Sequence, residues 1–243
     1  MKDALRDIVT HTYGLGFIDL VKIDGNDEST TVNGIADDRS VVVSATFHKP
    51  VTEFTGVFGM PNLGKLNTLL NLPPYQEDAK LELTTQERNG EETPVGIHFE
   101  NSDGDFKNDY RFMSSEIINE KIKNVKFRGA NWHVDFEPSS ASIERFKYQA
   151  QANSEEDTFV AKTEDKNLVF YFGDHSSHAG NFVFQHEVKG ELKRGWNWPV
   201  DQVMKILNLP GEITMQFSDD GAAQINVNSG LATYEYILPA QQK

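Results

Sequence analysis

The one stretch in which ligand-bearing side chains crowd together is Asp174-His175-Ser176-Ser177-His178. Two histidines three apart beside a carboxylate offer three donors for a metal ion, or the halves of an acid–base pair. The stretch is polar throughout, lies between two strand-like runs and has no further donor assignable to it, so a hairpin loop is the stronger reading. Gly14-Leu15-Gly16 is too short for a dinucleotide-binding turn and precedes a strand instead of joining a strand to a helix. The chain has no phosphate-binding loop, no G-x-S-x-G and no H-E-x-x-H. With no cysteine it has no disulfide, thiolate metal site or cysteine nucleophile. The expectation is a protein that is not an enzyme and carries no cofactor.

The elements that remain must therefore position a binding surface. The 243 residues are enough for one large or two smaller domains. A net charge of −14 opposes nucleic acid and anionic membrane if it is spread evenly. The mixed-charge start, Met1-Lys2-Asp3-Ala4-Leu5-Arg6-Asp7, has no signal-peptide core, and no apolar run approaches a membrane span. A soluble cytoplasmic protein is expected.

Strand signals dominate, at 17–24, 39–47, 95–101, 166–173 and 221–227. Turn residues at Asp24-Gly25-Asn26, Asn89-Gly90, Asp103-Gly104 and Asp220-Gly221 predict antiparallel hairpins. Helical spacing is confined to four segments. Residues 2–12 align Ala4, Leu5, Ile8 and Thr12, and residues 62–71 align Leu63, Leu66, Leu69 and Leu70. Ser139 or Ser140 can cap a helix bearing Ile143, Phe146 and Ala150, and Pro199 suits the first turn of a helix bearing Val200, Val203, Ile206 and Leu207.

These segments repeat. Residues 63–73 (LGKLNTLLNLP) and 200–210 (VDQVMKILNLP) share four consecutive identities and, behind them, the whole apolar register: Leu63/Val200, Leu66/Val203, Leu69/Ile206 and Leu70/Leu207. The earlier helices follow at nearly the same offset, through Leu5/Ile143 and Ile8/Phe146. Each half ends in an aromatic-rich strand, Tyr110-Arg111-Phe112-Met113 and Tyr234-Glu235-Tyr236-Ile237. The expected class is α+β, two similar tandem domains at 1–117 and 131–243. The segment 114–130, with Lys121, Lys123, Lys126 and Arg128, supplies the connector, set at 118–130.

The doubled order, the helix entry Trp198-Pro199-Val200-Asp201 with Met204-Lys205-Ile206-Leu207, and the closing strands 212–218, 222–228 and 233–239 resemble the DNA sliding clamps, especially those of T4-like phages and cyanophages. The resemblance implies a homotrimeric ring around duplex DNA, helices lining the hole, that tethers the replicative DNA polymerase and is loaded by an ATP-driven clamp loader. It further implies possible service to late-transcription factors, a viral origin and no membrane partner. The DNA-facing candidates are Lys2, Arg6, Lys65, Arg145, Lys147 and Lys205. Set against Asp3, Asp7, Glu144 and Asp201 they give the helices a balance of +2, with −16 on the rest of the chain. Such a ring holds DNA by screened, sequence-independent phosphate contacts. The candidates for a pocket receiving a partner's hydrophobic peptide are Tyr236, Leu238 and Pro239.

Two other readings compete. A single-stranded-DNA-binding protein would use Trp132, Trp196 and Trp198 for stacking, but only Trp196 follows basic residues, Lys193 and Arg194. An acidic, β-rich structural protein of a phage would explain the strands and the charge, but not the duplicated helix pairs.

Overall fold

The four helical spacings become helices because each places a continuous apolar stripe against a sheet. The computed structural model describes residues 1–88, 91–123, 129–174 and 178–241. The chain divides into two units, Met1–Lys126 with Ser229–Tyr234, and Phe127–Asn228 with Glu235–Lys243.

The first unit opens with α1 (Lys2–His11), whose buried stripe is Ala4, Leu5, Ile8 and Val9. Four antiparallel strands follow: β1 (Leu20–Gly25), β2 (Thr30–Ile35), β3 (Val42–Phe47) and β4 (Gly56–Pro61). They lie in the order β4-β1-β2-β3, with Ile23 opposite both Val32 and Phe58. The β1–β2 turn is set by the Asn26 side chain, whose oxygen accepts the backbone N–H of Glu28 and of Ser29, each at 2.9 Å. In the β2–β3 turn, Asp38 accepts from the hydroxyl (2.6 Å) and backbone N–H (2.9 Å) of Ser40, which hold its carboxyl below the usual range.

Helix α2 (Leu63–Asn71) buries Leu63, Leu66, Leu69 and Leu70, and its cap Asn62 accepts from the N–H of Lys65 at 3.3 Å. A three-stranded sheet completes the unit, in the order β5-β6-β7, from β5 (Lys80–Arg88), β6 (Glu91–Glu100) and β7 (Lys107–Arg111). The Asn89-Gly90 turn lies outside the described residues.

The segment 114–130, expected as a connector that could be partly strand, instead holds a fifth α-helix at its start, α3 (Ser115–Lys121). Glu116 in its first turn and Lys121 in its last complement the helix dipole. Just one of its residues, Ile118, is buried, so it carries no apolar periodicity to be read. Ile118 seats where Gly59 of β4 has no side chain: a Cβ there would lie 2.8 Å from the isoleucine Cδ1.

The second unit contains β8 (Val134–Phe136), α4 (Ser140–Ala152), β9 (Thr158–Glu164), β10 (Asn167–Phe172), β11 (Gly180–Gln185) and β12 (Trp196–Pro199). These are followed by α5 (Val200–Leu207), β13 (Glu212–Phe217), β14 (Ala222–Asn228) and β15 (Ala232–Pro239). Residues 232–234 of β15 count with the first unit and the rest with the second. The strand orders are β11-β10-β9-β12 and β15-β14-β13-β8.

Ser139 caps α4, its hydroxyl accepting from the N–H of Ser142 at 3.1 Å. Below the helix, Phe146 meets Phe159, Phe170, Phe172 and Phe184 with ring centroids 5.2 to 6.2 Å apart. That cluster fixes which side of α4 faces inward. Among the described residues no helix is long and apolar enough to cross a membrane.

Candidate nucleic-acid interface

In each unit the two long helices touch one another, α1 with α2 and α4 with α5. The duplication is also one of burial: Ala4, Ile8 and Thr12 are buried, and so are Ser142, Phe146 and Ala150, each 138 positions further on. Ile143, expected in the apolar stripe, is only half-buried because the i, i+4 row through Phe146 takes that place.

On the first pair, Arg6 and Lys65 are exposed. The Arg6 guanidinium donates to the Gln76 side-chain oxygen at 2.8 Å. Lys2 is more committed. Its ammonium donates to the carbonyls of Tyr75 (2.7 Å) and Gln76 (3.1 Å), and desolvation, then the Arg6 charge, lowers its pKa. Asp3 is exposed, but Asp7, on the same helix, turns inward and accepts from the hydroxyls of Tyr234 (2.8 Å) and Ser229 (3.0 Å). Its carboxylate is therefore held inside the unit, with His11 Nδ1 also 3.3 Å away. The remaining exposed positions of α2 are short and neutral: Thr68 donates to the Gly64 carbonyl and Asn71 to that of Asn67.

On the second pair every candidate base has a close companion. Lys147 pairs with Glu144 at 2.8 Å and Lys205 with Asp201 at 2.7 Å, both within their own helix. Lys147 and Asp201 share a cleft of about 460 Å³ with Asp157, Gln202 and Met204. Arg145 does not join them. Two residues around a helix are about 200°, and its guanidinium lies over the Phe182 ring of β11, 6.0 Å from the centroid. Tyr148, one turn further on the same flank, is 64% exposed. The helical spacing carried this separation already; the identity of the neighbour at position 182 did not show in it.

Of the peptide-pocket candidates, Tyr236 and Leu238 are wholly buried in β15 and only Pro239 is exposed. Trp198 is core, Trp132 is half-buried, and Trp196 donates its indole N–H to the Asp219 carbonyl at 2.8 Å. His175, Ser176 and Ser177 lie outside the described residues, and among those described no three His, Asp or Glu side chains gather to hold a metal ion.

No family model and no curated protein sequence matches the chain. Solved structures match along its whole length. The structure of the C-terminal region of FEN-1 bound to A. fulgidus PCNA superposes with a TM-score of 0.69 at 12% identity, covering 100% of this chain and 95% of that one. The PCNA of Thermococcus kodakaraensis gives 0.68 at 15% identity, with 99% and 97% covered. The proliferating cellular nuclear antigen of Entamoeba histolytica gives 0.67 at 11% identity, with 99% and 94% covered. Two units, each with a helix pair backed by antiparallel sheets, and full-length superposition on three such proteins lead to one statement: the chain has the fold of the PCNA-type DNA sliding clamps.

Proposed function

We propose that this protein is a sliding clamp of replication, a ring that encircles duplex DNA and holds a DNA polymerase at the primer end. It has no enzymatic activity and needs no cofactor; an ATP-driven clamp loader opens it. The observation that carries this reading is the end-to-end superposition on PCNA, joined to the duplicated helix pairs. Enclosure replaces affinity. A polymerase bound to the ring keeps a high effective concentration without tight DNA contacts of its own, and the ring itself makes no base-specific bonds that would stop it.

Lys65 and Arg6, then Lys147 and Lys205, are the phosphate-tracking cations, with Lys2 behind them. Arg145 serves the junction between copies. A chain of two units suits a homotrimer, closed by strand addition from a free edge of one copy to a free edge of the next. β11 is an edge of its sheet, as β5 and β7 are of theirs; Arg145 lies over Phe182 of β11, and the exposed Tyr148 shares its flank of α4.

A protein partner takes the role that FEN-1 has in the A. fulgidus complex, docking at the surface ending in Pro239; Tyr236 and Leu238 support that surface from the core. A T4-like phage origin, cytoplasmic action in the host and a second role in late transcription belong to the same proposal. Loading the protein onto a nicked circle with its cognate loader, then linearising the DNA, tests it. A clamp stays on the circle and runs off the linear form; release at equal rates from both would end the proposal.

A further inference from the structure

We infer that Glu144 and Asp201 are brakes on DNA contact, holding Lys147 and Lys205 in intrahelical ion pairs so that the second unit meets phosphate through exchangeable charge. The inference rests on the proposed clamp function and goes one step beyond it. Each pair joins residues of one helix, across one turn, at 2.8 and 2.7 Å. In both the acid lies N-terminal to the base, the orientation that a helix dipole favours. The helices touch, and Lys147 and Asp201 line the same cleft.

The first unit is built differently. Lys2 and Arg6 hydrogen-bond to uncharged oxygens of Tyr75 and Gln76, which orient the cations and leave their charge intact. Asp7, an acid of the same helix, is turned away into the interior. Lys2 and Arg6 are thus hydrogen-bonded to neutral groups, with the exposed Asp3 nearby, whereas Lys147 and Lys205 each sit in a close ion pair. A phosphate approaching Lys147 or Lys205 competes for the ammonium with a carboxylate already bound to it, and the carboxylate recaptures the ammonium when the phosphate moves on. Such contacts are short-lived and add little to the counterion release that makes DNA affinity steep in salt.

The test compares the assembled wild-type protein with Glu144→Gln/Asp201→Asn by titrating a short linear duplex, which enters a ring freely, at several salt concentrations. Each lysine released to phosphate should make the loss of affinity between 50 and 200 mM salt about threefold larger, and diffusion along a long duplex should slow. Adding Lys147→Gln/Lys205→Gln should return the salt dependence to the wild-type value. Glu191→Gln/Glu235→Gln removes the same charge from exposed positions elsewhere and should leave the slope unchanged. An unchanged slope in the Glu144→Gln/Asp201→Asn protein, or an equal change in the Glu191→Gln/Glu235→Gln control, overturns the inference while wild-type retention on circles leaves the clamp reading standing. A wild-type protein not retained on circles takes both down.

Discussion

His98 sits among charges on β6, opposite Glu82 of β5 and Asp109 of β7. Its Nδ1–H donates to Asp109 at 2.8 Å, and its Nε2 lies 3.5 Å from Glu100. The bond to Asp109, with help from Glu100 and against some desolvation, raises its pKa above the ordinary 6.5. His98 in turn holds Asp109 below the usual range, as Lys107 does Glu100, and Lys65 and Arg111 add to the effect on Asp109. Lys80 is tied to Glu82. A raised folded pKa gives stability that is complete below pH 6.5 and fades as pH climbs through the folded value. The urea midpoint of His98→Gln should therefore fall below wild type in mildly acidic buffer and converge with it in alkaline buffer; a gap that widens with pH would contradict the assignment. Asp7 makes a second test. Asp7→Ala strips the acceptor from two hydroxyls and should cost about 1–3 kcal/mol in urea unfolding, whereas Asp3→Ala, on the exposed side of the helix, should cost almost nothing.

At the scale of elements, helices are held by what lies beneath them more than by their own propensity. The exposed pairs on α4 and α5 contribute only about 0.3–0.5 kcal/mol each. Phe146, ringed by four other phenylalanines, decides whether α4 docks at all. Phe146→Ala should lower stability by about 3–5 kcal/mol, and native-state hydrogen exchange should show the α4 amides losing protection before those of α1. Equal loss in both helices would mean that the two units unfold as one. The short α3 obeys the same rule from the other side: a single isoleucine over Gly59 anchors seven residues.

For the whole molecule, the proposed ring reconciles a net charge of −14 with a DNA partner, because enclosure in place of attraction would supply the retention. Assembly then matters more than affinity. Tyr148, 64% exposed, is a large side chain on the flank of α4 whose Arg145 lies over Phe182 of β11. Tyr148→Asp should shift the proposed trimer to monomer in light scattering and leave the circular dichroism spectrum unchanged. A trimer that survives at sub-micromolar concentration would place the junction elsewhere.

The sequence by itself carried the duplication, the four long helices, the antiparallel strands and the absence of any catalytic motif, because these depend on period, turn chemistry and residue type, which are local. Leu63/Val200 and its companions kept register over 137 positions, and Ser139 announced its cap. What faces what was decided only by tertiary structure. Nothing local turns Asp7 toward Ser229 and Tyr234, more than two hundred residues away. Nor does it lay Arg145 over Phe182, bury Tyr236 and Leu238 while Pro239 is exposed, or seat Ile118 on Gly59. A charge's role depends on its nearest partner and its solvent exposure, and both come from contacts between segments that the chain brings together only by folding.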